Sequence, residues 1–303
     1  MRKSLLGRLI SFILGIVILA AIALAILFAF VKIRYDVNLY DTVKNVKKLN
    51  NSVKEEKICT NKFSNDDLTN AKNSINAVLP GFVTEKEDGS LDFNLDFTGG
   101  AVAIGASMSF TDKQMAAIIN NLLEKTGGVS VEVAGESLDV ELMEISISNI
   151  ENSGKSADMK SVLKVDFKPV KEKLTGFPKK YLKKYVPDTL YISTTTTVTK
   201  NASLDIYDYK LSAKSIVLNA MSEKDSEQII DALNKFVKFD NVDALNDKIS
   251  SAFMKAIVGA KDGETTSKGF GASIGANTFG FSENAEKTEH YIVFERLVAP
   301  VGE

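Results

Sequence analysis

Two stretches of this sequence repeat one pattern, "TDKQMAAIINNLLEK" at 111–125 and "SEKDSEQIIDALNKF" at 222–236. Both begin with a hydroxyl residue, an acid and a lysine, and both continue to Ile-Ile-x-x-Leu. An alternating apolar run precedes each copy, and apolar residues within each copy recur at helical spacing. The pattern indicates a strand followed by a capped amphipathic helix. Duplication of one unit and convergence on a common helix pattern both explain the repeat.

Apolar residues at helical spacing predict four amphipathic helices in all. Each begins after a polar residue that is suited to the N-cap position, in order Ser64, Thr111, Ser222 and Asn241. Thr111 with Gln114 fits a capping box, in which two side chains satisfy backbone N–H groups that the first turn leaves free. These capping residues are therefore predicted to define helix ends and to carry no catalytic role.

Between the helices, apolar residues alternate with a period of two, and the phase of that alternation switches repeatedly. It switches at Gly99-Gly100, between 138–142 and 143–147, and between 207–211 and 216–220. Long strands that change faces are typical of curved antiparallel sheets. We therefore predict an α+β fold, a strongly curved antiparallel sheet with amphipathic helices packed on it, preceded by one transmembrane helix.

The run from Leu9 to Val31 contains no charged residue and is long enough to cross a bilayer. A cleaved signal peptide is the alternative, because Ala21-Ile22-Ala23 resembles a cleavage site. Cleavage there would leave an apolar stretch at the new N-terminus, so we favour an uncleaved anchor. Lys and Arg flank both ends of the run, and the short preceding tail favours a cytoplasmic N-terminus. The protein is expected to be single-pass in the cell membrane.

The sequence divides into three parts on this basis. Residues 1–31 form the cytoplasmic tail and transmembrane anchor, and residues 32–62 form a polar juxtamembrane linker. Residues 63–303 form an extracytoplasmic α+β domain. The linker contains Cys59. We predict that Cys59 has no functional role, and a reactive thiol is the alternative.

Composition excludes several classes of site. Cys59 is the only cysteine and His290 the only histidine, which rules out an internal disulfide, a cysteine-rich metal site and a multi-histidine site. The formal net charge of −2 argues against a nucleic-acid-binding protein. No nucleophile–base set can be assembled from the sequence. We therefore expect no metal, no cofactor and no enzymatic activity, and His290 is expected at the surface.

Two further segments invite a functional interpretation that the sequence does not favour. The hydroxyl-rich run "STTTTVT" at 193–199 could line a polar groove, but an exposed or edge strand is the more ordinary interpretation. The glycine-rich run "GFGASIGANTFGF" at 269–281 suggests a phosphate loop, yet it lacks the lysine and hydroxyl residue of that motif. We predict a close-packed or strongly bent hairpin strand there.

One segment combines lysines with aromatic residues in a way that suits an anionic membrane surface, where each lysine contributes about 1 kcal/mol. A solvated connector whose tyrosines pack on the domain is the more ordinary interpretation of the same segment. The candidate membrane-surface residues are Lys179, Lys180, Tyr181, Lys183, Lys184 and Tyr185.

These features together resemble two groups of proteins. A single N-terminal span, bent strands and the repeats Thr111–Leu123 and Ser222–Leu233, with "KKYLKKYVPDTLYIS" at 179–193, are similar to AsmA-like and tubular lipid-binding (TULIP-type) proteins. They also resemble single-span extracytoplasmic proteins of Gram-positive bacteria. The resemblance covers residues 85–240, and it implies an apolar groove between sheet and helix that holds acyl chains.

The expected function is accordingly a non-enzymatic, membrane-anchored module that binds or handles lipids, with membrane lipids as partners. A protein-interaction or scaffolding subunit of a cell-envelope assembly is the alternative, with an envelope protein as partner. In the first case the groove is expected to be lined by the apolar residues of the two repeat helices: Ile118, Ile119, Leu122, Ile229, Ile230 and Leu233.

Overall fold

The computed structural model describes Leu49 and residues 55–87, 89–125, 129–133, 136–168, 172, 187–237, 242–262 and 265–298. The predicted span and the lysine- and tyrosine-rich segment lie outside these residues, and both stay predictions. Among the helices within the described ranges, none is long and apolar enough to cross a membrane.

The described residues form five α-helices, twelve strands and two short 3₁₀ turns. The helices are α1 (Asn65–Val78), α2 (Asp112–Lys125), α3 (Glu223–Val237), α4 (Val242–Ile257) and α5 (Phe270–Ser273). The strands are β1 (Val83–Glu85), β2 (Leu91–Phe93), β3 (Ser107–Thr111), β4 (Val129–Val133), β5 (Glu136–Glu151), β6 (Ser156–Asp166), β7 (Thr189–Lys200), β8 (Tyr209–Leu218), β9 (Gly259–Asp262), β10 (Thr265–Lys268), β11 (Thr278–Glu283) and β12 (His290–Glu295). The 3₁₀ turns are Glu55–Lys57 and Asn152–Gly154.

All strand pairing in the described chain is antiparallel, which confirms the α+β class with antiparallel sheets. A five-stranded sheet has the order β4-β5-β6-β7-β8, and a three-stranded sheet has the order β11-β12-β3. Two hairpins, β1-β2 and β9-β10, complete the set. None of these sheets closes on itself.

Irregularities in the five-stranded sheet coincide with two of the phase switches in the sequence. The pairing of β5 with β6 shifts between Leu142 and Glu144, and the pairing of β7 with β8 shifts between Thr195 and Thr196. A bulge inserts one residue and turns the following side chains to the opposite face. The alternation therefore changes phase in the sequence where the backbone bulges.

The repeated strand–helix unit is confirmed locally, but its two copies join different sheets. β3 is an edge of the three-stranded sheet, whereas β8 is an edge of the five-stranded sheet. The predicted Thr111–Gln114 capping box forms, with backbone N–H to side-chain distances of 3.0 and 3.1 Å. The two repeat helices nevertheless lie against one sheet, because α2 packs on β5 and α3 packs on β8, and both strands belong to the five-stranded sheet.

The main core lies between the five-stranded sheet and the helices. α2 packs on β5 and on α1, and α4 packs on β7 and β8, next to α3. One continuous cluster of buried apolar side chains joins these elements to the three-stranded sheet and the hairpin β1-β2. Burial of apolar surface on this scale is the dominant favourable contribution to folding.

The glycine-rich run 269–281 is not a hairpin strand throughout, because residues 270–273 form the short helix α5. A Cβ atom at Gly271 would lie 2.4 Å from the ring of Phe294, and one at Gly269 would lie 2.4 Å from the backbone nitrogen of Gly259. The glycines allow close approach to the core. The alternation therefore reflects close packing in residues 269–273, whereas the end of the run, from Thr278 onward, lies in β11 and pairs with β12 as a hairpin strand.

The hydroxyl-rich run 193–199 belongs to β7, which is a central strand between β6 and β8. The interpretation as an exposed or edge strand is therefore wrong. The buried hydroxyl of Thr194 bonds to that of Ser161 at 2.7 Å, and the hydroxyl of Thr196 donates to Asn246 of α4 at 3.0 Å. Threonines are tolerated in this core because partners on neighbouring elements satisfy them.

Asn246 satisfies all its hydrogen-bonding capacity at the β7–β8 bulge. Its amide donates to the carbonyl oxygens of Thr195 and Ser215 at 3.0 and 2.9 Å. Its oxygen accepts from Thr196 and from Ser250, the latter at 3.1 Å. Because Asn246 is 2 % exposed, water cannot replace these bonds without opening the helix–sheet interface.

We expect Asn246→Ala to lower the free energy of unfolding by about 2 kcal/mol, because it leaves buried carbonyl and hydroxyl groups unpaired. Urea unfolding followed by circular dichroism measures the loss. The matched control is Asn120→Ala on α2, where the half-buried amide bonds to Glu124; we expect a change within about 0.5 kcal/mol. Equal losses in the two variants would contradict this role for Asn246.

Candidate functional site

A polar cleft of about 540 Å³ opens where the N-terminal ends of α1 and α2 meet β5 and β12. Its volume is in the usual range for ligand sites. Four segments of the chain line it: Asn61, Asp67 and Asn70; Thr111, Asp112, Lys113 and Gln114; Ser146, Ile147 and Ser148; and Thr288, Glu289 and His290.

Asp112 is the buried acid of this cleft. It is the first residue of α2 and is only 6 % exposed. Its carboxylate accepts backbone N–H groups of Lys113 at 2.8 Å and Ile147 at 3.4 Å, and a hydrogen bond joins it to the side chain of Asn61. Among the described residues, no cation lies within ion-pair distance of it.

Burial raises the pKa of the Asp112 carboxyl, although hydrogen bonds from Asn61, Ile147 and Lys113 and the charge of His290 oppose that shift. An acid in the first turn of a helix is ordinarily stabilised in its charged form by the helix dipole. At Asp112 the cost of desolvation is larger than these favourable contributions. Its charge therefore destabilises the fold at neutral pH, as is common for functional acids.

The other acids of the cleft are already engaged. Asp67 accepts the backbone N–H and the hydroxyl of Ser64 at 2.8 and 2.7 Å, which completes the capping box of α1. Glu289 accepts the hydroxyl of Tyr291 at 2.5 Å. Asp112 differs from these two acids in its burial, because Asp67 is half-buried and Glu289 is exposed.

His290 lies at the start of β12 and is half-buried at the cleft wall. The sequence predicts a surface position for it, and the structure adds its place beside Asp112. Over the described ranges, no hydrogen bond joins its ring to a hydroxyl group of the cleft. The expectation of a non-enzymatic role stays a prediction.

Residues 55–62, here called the strap, lie across the face of the five-stranded sheet that the helices do not cover. Glu144 of β5 accepts the backbone N–H groups of Thr60 and Asn61 at 2.7 and 3.2 Å. Lys160 of β6 bonds to Glu144 at 2.9 Å and donates to the carbonyl oxygen of Ile58 at 3.0 Å. The strap thereby places Asn61 against Asp112 in the cleft.

Apolar contacts reinforce the strap. Ile58 and Cys59 form a small buried cluster with Met143, Val162 and Tyr191 on this face of the sheet. Burial and the charges of neighbouring glutamates raise the pKa of the Cys59 thiol to about 11. The thiolate is the reactive form of cysteine, so the structure favours the incidental interpretation of Cys59 over a reactive thiol.

Five of the six residues predicted to line a lipid groove lie in the main cluster of buried apolar side chains. Ile118, Ile119, Leu122, Ile229 and Ile230 are at most 4 % exposed, and the side chain of Leu233 lies outside the description. The lysine- and tyrosine-rich segment is also outside the described residues. The cleft residues were not predicted, because they come from four distant segments. The sequence features that come closest to indicating the cleft are Asp112, the acid of the first repeat, and His290, the only histidine.

We expect Asp112→Asn to stabilise the protein at neutral pH. A carboxyl with a raised folded pKa contributes stability below its unfolded pKa, and that contribution is lost as pH rises through the folded pKa. The difference in unfolding free energy between Asp112→Asn and wild type should therefore grow in the variant's favour over that window. Thermal unfolding from pH 4 to pH 8 measures it. A loss of stability at neutral pH would show that the charge of Asp112 is structural.

The resemblance to AsmA-like and tubular lipid-binding proteins stays a prediction. It rests on the repeated strand–helix pattern, whose copies lie in two different sheets. Comparison of the chain with known proteins finds no matching family model, no matching curated protein and no matching solved structure.

Proposed function

We propose that this chain is a membrane-anchored, non-enzymatic protein-interaction module of a cell-envelope assembly, whose partner contacts the cleft beside Asp112. The observation that carries the proposal is a buried carboxylate that faces a ligand-sized cleft and has no lysine or arginine within ion-pair distance among the described residues. A charge held in this way costs stability. Proteins retain such groups where binding compensates for the cost.

The lipid-handling hypothesis stays a prediction with less support from the geometry. It needs apolar space between helix and sheet, and the residues assigned to that space pack against the sheet instead. Twelve of the thirteen residues that line the cleft have polar or charged side chains. Such a lining suits polar groups of a protein partner better than acyl chains.

Site-specific photocrosslinking in the producing cells tests the proposal. A photoreactive phenylalanine analogue is placed at Ser148, which is exposed and lines the cleft. We expect a discrete protein adduct that Asp112→Asn abolishes. The same analogue at Ser107, at the opposite end of β3, serves as the control and should not give that adduct.

Two other outcomes would count against the proposal. If the adducts persist unchanged in Asp112→Asn, the partner does not bind through the cleft beside Asp112. Adducts with the mass of a phospholipid at Ser148 would favour lipid handling over protein interaction. The expression level and membrane fraction of the variant are compared with wild type, so that a loss of adduct cannot come from a loss of protein.

A further inference from the structure

We propose that the cleft is a binding site for an organic cation, the guanidinium or ammonium group of a basic side chain, with Asp112 as its anionic partner. This inference rests on the proposed function, because it names the chemistry of the group that the partner inserts. It is nevertheless tested separately, with small molecules and without the partner.

The charged residues that line the cleft favour a cationic ligand. The cleft is lined by three acids, Asp67, Asp112 and Glu289, and by one lysine, Lys113. Asp67 is half-buried and Glu289 is exposed, whereas Asp112 is 6 % exposed, so Asp112 is the acid that gains most from a cation. A charge-assisted hydrogen bond to a buried carboxylate is about twice as strong as a neutral one.

The ordinary explanation of an acid at this position accounts for only part of the observations. The first turn of a helix favours negative charge, but exposure of the carboxylate to water would serve that purpose better. Asp112 is instead nearly fully buried, and burial raises the pKa of its carboxyl. The helix terminus and the neutral donors do not fully compensate the desolvated charge of Asp112. A bound cation would complete that compensation.

The geometry favours an organic cation over a metal ion. Calcium and magnesium need about six oxygen ligands, several of them carboxylates. Within the described residues, no three acids, cysteines or histidines come together as a metal site would require. A guanidinium or ammonium group needs one carboxylate and a few neutral acceptors, and the hydroxyl groups of Ser146, Ser148 and Thr288 line the same cleft.

The test uses the full chain in detergent micelles and two matched probes, Nα-acetyl-arginine amide and its uncharged counterpart Nα-acetyl-citrulline amide. His290 is the only histidine and lines the cleft, so the ¹³C-labelled imidazole gives one NMR signal that reports on occupancy at pH 7.5. We expect the arginine probe to shift this signal in a saturable way. The citrulline probe should bind at least tenfold more weakly, as expected for the loss of one charge-assisted bond.

Variants then assign the effect to Asp112. Asp112→Asn should weaken binding of the arginine probe at least tenfold, whereas Asp66→Asn, an exposed acid in α1 that does not line the cleft, should leave it unchanged. Ser148→Phe, which fills the cleft from an exposed position, should also abolish binding. It keeps the test valid if Asp112→Asn fails to fold.

Two results would overturn the inference. Equal binding of the arginine and citrulline probes would show that charge is not recognised. The absence of a saturable shift with 50 mM arginine probe would show that the cleft does not bind a cationic side chain. Neither result depends on the crosslinking experiment. If the cleft binds the arginine probe but no partner is crosslinked in cells, only the proposed function is refuted.

Discussion

Phe270→Ala is expected to destabilise the protein by about 4 kcal/mol, which is typical of replacing a fully buried phenylalanine by alanine. The ring of Phe270 is 0 % exposed. It makes edge contacts with Phe110 at 5.2 Å, Phe294 at 5.6 Å, Phe82 at 6.1 Å and Phe93 at 6.4 Å between ring centroids. These rings come from the three-stranded sheet and from in and beside the hairpin β1-β2, so the variant loosens their attachment to the core.

Thermal unfolding followed by circular dichroism measures the effect, and for a domain of this size the midpoint should fall by roughly 10 °C. Phe270→Leu keeps most of the volume and should cost only about 1 kcal/mol. Phe97→Ala is the matched control, because its ring is half-buried and touches Phe82 at 5.4 Å. If Phe97→Ala were as damaging as Phe270→Ala, the centre of this aromatic cluster would lie elsewhere.

The sequence shows nothing of this role, and the reason is physical. Phe270 lies among glycines whose alternation imitates a strand, while the glycines are there to let α5 approach Phe294 and Gly259. Close approach is a property of the partners, and those partners are 10 to 25 residues away in the chain. A period of two in a glycine-rich run therefore does not separate a strand from a tightly packed turn.

Features that depend on near neighbours could be predicted from sequence. The helices that follow Ser64, Thr111 and Ser222 begin where their capping residues indicate. The phase switch after Leu142 marks a real bulge. In these cases a few adjacent residues determine the backbone conformation, so the pattern carries the information.

Features that depend on distant pairing could not be predicted. Nothing in the pattern of β3 or β8 says which sheet each strand joins, and the two copies of the repeat diverge at this level. The buried hydroxyl of Thr196 in the central strand β7 is satisfied by Asn246, which lies on a helix fifty residues later. The cleft depends on the strap, whose polar sequence resembles a simple linker.

Glu144→Ala is expected to release the strap and to cost about 3 kcal/mol in unfolding free energy. Glu144 is 1 % exposed and accepts hydrogen bonds from Thr60, Asn61, Ser146 and Lys160. Its removal leaves several partly buried hydrogen bonds broken. Truncating one member of a buried ion pair is strongly destabilising, and the partial exposure of Lys160 to water reduces that loss.

Cys59 reports directly on the strap, because its thiol is buried beside Glu144. In the wild type, alkylation by iodoacetamide should be slow, since burial restricts access and keeps the thiol protonated. In Glu144→Ala, alkylation should be at least tenfold faster under native conditions. Mass spectrometry of samples quenched over time measures the rate.

Glu141→Ala is the matched control on the same strand. The Glu141 side chain is 54 % exposed and bonds to Lys164 at 2.9 Å, so its removal should cost less than about 1 kcal/mol. It should also leave the alkylation rate of Cys59 unchanged. If both variants behaved alike, the strap would be held by its apolar contacts and not by Glu144. If only Glu144→Ala freed Cys59, it should also weaken binding of the arginine probe, because Asn61 would no longer be held against Asp112.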